Sequence, residues 1–181
     1  MLRRGDDRRE RREERSEGGS GGEHRYQMHE KLVSIGDDFW IENGQGQKQF
    51  KVDGKALRVR KTLSFQDASG NELCRIQERM MRIKDSMEVE DPAGNQVAMV
   101  KKALISPLRD RFVVKIHNGP DLEVKGNILD HEYTIGEGSN KVAEVSKKWF
   151  RVRDTYGVEI APGQEDVVIL AVAVCIDQMA H

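Results

Sequence analysis

The chain has 181 residues, enough for one domain of ordinary size or two small ones, and its 30 basic and 31 acidic side chains leave a formal net charge of −1. That balance argues against a bulk binder of nucleic acid, whose domain would be strongly basic. No apolar run reaches the ~18 residues that span a bilayer, no apolar h-region marks a secretory signal, and two cysteines, Cys74 and Cys175, are too few for a disulfide framework or a closed zinc site.

Residues 1–25 read as a charged tail. Only Met1 and Leu2 are hydrophobic, eight basic residues face seven acids, and a run Gly18-Gly19-Ser20-Gly21-Gly22 follows. So little apolar surface does not offset the entropy of ordering, so the tail is expected to be disordered and residues 26–181 to form the folded domain.

The folded part carries a repeat of about 24 residues. Leu73–Val89 aligns without a gap to Val142–Val158. An aliphatic anchor recurs at Val52, Ile76, Val100, Val124 and Val145, and an apolar pair at Ala56-Leu57, Met80-Met81, Leu104-Ile105, Ile128-Leu129 and Trp149-Phe150. Within a unit the period is two: Leu57, Val59, Leu63 and Phe65 alternate with polar residues, as do Met81, Ile83, Met87 and Val89, and Phe150, Val152, Tyr156 and Val158. Such alternation marks strands with one face in a core. A charge breaks it at Lys61, Asp85 and Asp154, where a bulge or tight corner is expected. Turn residues punctuate each unit at Asn43-Gly44, Ser69-Gly70-Asn71, Ala93-Gly94-Asn95, Asn118-Gly119-Pro120 and Gly136 to Asn140. Each unit is therefore a hairpin. Five hairpins after an opening strand around Leu32 to Ile41 give about 10 to 12 antiparallel strands, which must close or sandwich to protect their edges.

A barrel that wide needs filling. Val167 to Ile176 is ten apolar residues without alternation, after the strand breaker Pro162-Gly163 and with Asp166 placed to cap a helix. A segment apolar on every side belongs inside something. A helix over about 166–179 spans ~21 Å at ~1.5 Å per residue, close to the height of six-residue strands.

The segments Ser34–Ile41, Lys51–Leu57, Gly126-Asn127-Ile128, Val142–Phe150, Asp154–Val158 and Ile176-Asp177 resemble the LURP-one-related family of plants and its bacterial relatives, in the tubby C-terminal-like superfamily, over Lys31 to Met179. The resemblance implies a closed 12-stranded antiparallel β-barrel around a central hydrophobic C-terminal helix. It further implies a link to phosphoinositide-binding tubby domains, to the phospholipid scramblase fold and, in plants, to defence. The tubby C-terminal signature and the scramblase cysteine-rich segment are missing, so no lipid site carries over residue by residue.

The strongest charge pattern is Arg-x-Arg/Lys on the polar face of successive units: Arg58/Arg60, Arg82/Lys84, Arg109/Arg111 and Arg151/Arg153, with Asp130/Glu132 at the comparable place in the remaining unit. A second basic cluster is Lys101-Lys102 with Lys147-Lys148. Either could hold lipid phosphates; a solvated surface balanced by acids is the preferred reading. Asp130-His131-Glu132 reads as a strand-surface triplet, since neighbours on a strand alternate faces and no second histidine gives metal-ligand spacing. Trp40 and Trp149-Phe150 read as core aromatics, and Cys74 and Cys175 as buried, inert thiols. No catalytic constellation, metal site or cofactor motif stands out. The expectation is a non-catalytic, intracellular binding module, cytoplasmic or peripheral at the plasma membrane, that recognises anionic phospholipid or a protein partner. The alternatives are an enzyme or lipid-handling protein with a pocket at a barrel mouth near His131 and a nucleic-acid-linked regulatory factor, which the charge balance disfavours.

Overall fold

The computed structural model describes residues 24–29, 38–54, 62–79, 86–106, 109–150 and 154–180. They form twelve strands: β1 (His24–His29), β2 (Phe39–Asn43), β3 (Lys48–Gly54), β4 (Thr62–Asp67), β5 (Glu72–Arg79), β6 (Ser86–Glu90), β7 (Gln96–Ser106), β8 (Arg109–Ile116), β9 (Asp121–Asn127), β10 (Glu132–Glu137), β11 (Asn140–Ser146) and β12 (Thr155–Ile160). A helix, α1 (Asp166–Ala180), follows. Every strand pairs antiparallel with its neighbours in sequence, and β1 pairs with β12, so the sheet closes into an up-and-down barrel. Closure leaves no exposed edge.

The period-two pattern sets which face points in. Leu63 and Phe65 of β4, Ile76 of β5, Val89 of β6, Val145 of β11 and Tyr156, Val158 and Ile160 of β12 are all buried. Outward positions carry charge pairs such as Arg75 with Glu72 and Arg25 with Glu159.

The 24-residue repeat is visible in the backbone. Left-handed φ recurs at Gly46, Gly70, Gly94 and Asn118, each 24 residues after the last. In the first three turns a side-chain oxygen at the turn's start holds the loop. The Oδ1 atoms of Asn43, Asp67 and Asp91 accept backbone N–H bonds from Gln47, Asn71 and Asn95 at 3.0, 2.9 and 2.8 Å. Such Asx geometry fixes the hairpin and needs a residue tolerant of positive φ three places on. Asp154 also takes a left-handed φ of 59°, so the break in alternation there is a tight corner. Lys61 and Asp85, the other two breaks, lie outside the described residues.

Because the strands alternate in direction, the turns after Asn43, Asp67, Asp91, Ile116 and Glu137 and the start of α1 all lie on one rim, here the turn rim. The connections after β1, β3, β5, β7, β9 and β11 leave from the opposite rim. The helix enters at the turn rim and fills the lumen, burying Ile169 to Asp177 without interruption. Valine and isoleucine favour strands, but a closed barrel offers no edge to pair with. A helix satisfies its backbone groups internally, so it is the form this apolar segment can take inside.

Three expectations change. His24 and Arg25 belong to β1, paired with Ile160 and Glu159, so the folded domain starts two residues earlier than composition indicates; residues 1–23 lie outside the described part. The opening strand expected around Leu32 to Ile41 is β2, starting at Phe39, with β1 before it. Asp166, expected as a cap, is the first residue of α1, and its Oδ2 accepts the Tyr26 hydroxyl at 2.5 Å and meets His24 Nδ1 at 2.5 Å. It ties the helix entrance to β1, and burial together with this carboxylate pushes the Tyr26 hydroxyl pKa up.

Candidate functional site

The opposite rim gathers the chemistry. Its described part includes the turn between β9 and β10 and the segment after β11. Asn127 and Asp130 brace the turn: Asn127 Nδ2 donates to Asp130 Oδ2 at 2.6 Å, and Asp130 N donates to Asn127 Oδ1 at 3.2 Å. This pushes Leu129 out to 61% exposure, the exposed large hydrophobic of the described residues. Two residues on, His131 takes a left-handed φ of 52° and turns inward.

His131 is therefore not part of a strand-surface triplet. It is 3% exposed, its ring stacks on Tyr156 at 4.2 Å, and its Nε2 lies 2.7 Å from Asp177 Oδ1 of α1. Asp177 is itself 4% exposed. Tyr133 is buried nearby, and burial together with the Asp177 charge drives its hydroxyl pKa up. The pair pins the helix end to the barrel wall. Sequence reasoning missed Asp177 as the partner; the signal was a carboxylate at the end of an otherwise apolar helix, which must be partnered to be buried.

Glu132 faces outward and organises the neighbouring segment. It accepts the Ser146 hydroxyl at 3.0 Å and the Lys147 backbone N–H at 3.1 Å, and Lys148 Nζ lies 3.3 Å away. Burial would raise its pKa, but these hydrogen bonds and the Lys148 charge outweigh that and hold it low. The Lys148 side chain is 80% exposed. Leu129 and Lys148 thus project from adjacent connections on one rim.

Trp149 and Phe150, expected in the core, lie half-buried on the outer wall. Gly157 points outward between core residues Tyr156 and Val158, and a Cβ there would meet Trp149 Cε3 at 2.6 Å and Phe150 Cε2 at 2.7 Å. The rings cover that glycine, and the Arg25 guanidinium lies 4.8 Å from the centre of the Trp149 ring. Trp40 is also half-buried, beneath Lys48 Nζ at 4.9 Å.

Of the ten predicted anion-binding residues, Arg58, Arg60, Arg82, Lys84, Arg151 and Arg153 lie outside the described residues. Lys101 and Lys102 do not form one cluster. Alternation on β7 exposes Lys101, while the half-buried Lys102 donates from Nζ to the Met179 carbonyl at 3.3 Å and lies 5.9 Å from the Phe112 ring centre. Lys102 serves the C-terminal end of the helix, where carbonyls favour a cation. Lys147 and Lys148 lie after β11, with β8, β9 and β10 between it and β7, so the four lysines are not one patch. On the wall, Arg111 pairs with Glu123 at 2.7 Å and Arg79 with Glu88 at 3.1 Å. Both cysteines are buried; burial, with Glu72 second, pushes the Cys74 thiol up to about 12, and burial likewise raises that of Cys175. Among the described residues no group of three or more metal-ligating side chains gathers, and no helix is long and apolar enough to cross a membrane.

A family model described as LURP-one-related matches residues 24–177. The chain is 27% identical over 154 residues to the Bacillus subtilis (strain 168) protein YxjI, described as uncharacterized, covering 85% of this chain and 92% of that one. The fold is similar to an X-ray structure of an Arabidopsis thaliana protein, with a TM-score of 0.65 and 20% identity over 89% of this chain and 94% of that one.

Proposed function

The chain belongs to the LURP-one-related family, and on that premise we propose that it is a non-catalytic barrel module that docks on an anionic phospholipid surface through the rim opposite its turns. The observation that carries this reading is the pairing of an exposed aliphatic side chain, Leu129, with the exposed ammonium of Lys148 on adjacent connections of that rim. A lysine near an anionic surface contributes about 1 kcal/mol, and inserting a leucine about 1.5–3 kcal/mol. The Lys148 end of the contact with Glu132 is exposed to solvent, so its ammonium can turn to a lipid phosphate.

A non-catalytic role is supported by the placement of His131. Its ring is covered by Tyr156 and bound to a buried carboxylate, an arrangement suited to holding the helix.

Co-sedimentation with vesicles tests the reading. Vesicles of phosphatidylcholine doped with phosphatidylserine or a phosphoinositide should retain the protein, and pure phosphatidylcholine should not. Lys147→Gln with Lys148→Gln, or Leu129→Ser, should each lower retention while moving the thermal midpoint little. Retention on neutral vesicles equal to that on anionic ones, or indifference to all three substitutions, would sink the proposal.

A further inference from the structure

A cavity of about 510 Å³ opens on the turn rim, beside the entrance of α1 and away from the surface described above. Its volume falls within the ~300–1,000 Å³ range of small-molecule sites. The floor is hydrocarbon: Leu122, Val142 and Ile169 are buried there. Around the mouth stand two carboxylates from different elements, Glu137 at the end of β10 and Glu165 just before α1. The remaining polar lining is neutral amide from Asn118, Asn140 and Gln164, with His117 alongside. Among the described residues no lysine or arginine lines it.

This composition selects a ligand class. An anion would meet two carboxylates with no cation to offset them, whereas a cation would be attracted by both. The helix N-terminus, whose dipole by itself attracts anions, is already matched by Asp166 in its first turn. The apolar floor requires that the ligand carry a hydrocarbon body as well as its charge. The geometry points to a binding site for a small organic cation, an alkylammonium-type molecule whose chain rests on Leu122, Val142 and Ile169 and whose charged head lies between Glu137 and Glu165. The site faces away from the proposed membrane rim, so it stays open to solvent when that rim is engaged.

Hexylammonium chloride is the probe, with hexanol and hexanoate as neutral and anionic counterparts of equal chain length. Calorimetric titration of the full chain should give saturable binding of hexylammonium, at least about tenfold tighter than either counterpart. Methyl NMR signals of Val142 and Ile169 should shift in the same titration. The double variant Glu137→Gln, Glu165→Gln should lose about tenfold in hexylammonium affinity and keep its hexanol affinity and thermal midpoint. Failure of hexylammonium to saturate, hexanoate binding as tightly, or unchanged affinity in the double variant would overturn the proposal. Vesicle retention is a separate readout, since neither glutamate lies on the opposite rim.

Discussion

His131 and Asp177 are 46 residues apart, both buried, and joined by one 2.7 Å contact. Replacing His131 with alanine removes a hydrogen-bond partner from a buried carboxylate, which costs about 3 kcal/mol; urea unfolding should show a midpoint shift of that size, and a near-neutral result would mean the pair does not hold the helix. The turn aspartates give a pH prediction. Asn71 and Asn95, through their side-chain amides and then their backbone N–H groups, hold the carboxyls of Asp67 and Asp91 below the usual carboxylate range. A carboxyl depressed in the folded state contributes stability above its unfolded pKa of ~3.9 and loses it as pH falls through the folded value. Asn43 already performs the same role uncharged in the first turn. Asp67→Asn with Asp91→Asn should therefore keep the turns and flatten the decline of stability below about pH 4, measured by denaturant midpoints across pH.

The decisive element is the helix. Leu170 is fully buried in it, so Leu170→Ala should cost about 2–5 kcal/mol through lost transfer energy and a cavity. Leu170→Asp places a charge in hydrocarbon and should prevent soluble folding; a soluble, sheet-rich product would contradict the helix's role as filling. The hairpins were legible in the sequence because period-two alternation and turn residues are local signals. The aromatic pair was not. Trp149 and Phe150 look like core residues in a list, yet they lie outside because Gly157, one strand over, leaves a flat place for them. Gly157→Ala should displace both rings and lower the thermal midpoint, with a change in tryptophan fluorescence as the direct readout.

For the whole molecule, closure is the main constraint. β1 bridges β12 and β2, so deleting residues 24–29 would expose two long edges. Loss of the intact protein's elution position by size exclusion is the expected result. The two rims also differ in kind. One carries short amide-braced turns and a cavity with two glutamates; the other carries Lys147, Lys148 and the exposed Leu129. The vesicle binding proposed for the second should weaken as ionic strength rises, because the Debye length shrinks from ~10 Å at 0.1 M to ~3 Å at 1 M salt.

Composition, periodicity and the apolar terminal run were enough to specify a strand-built barrel with a hydrophobic filling, because alternation, turns and uniform apolarity are written in neighbouring residues. They did not place the charges. Whether Lys102 faces lipid or the helix end, whether His131 meets solvent or Asp177, and whether Leu129 is core or tip depended on single left-handed corners and on strands far apart in the chain. A one-residue change of face reverses a side chain's surroundings, and only the closed barrel fixes which face each residue takes.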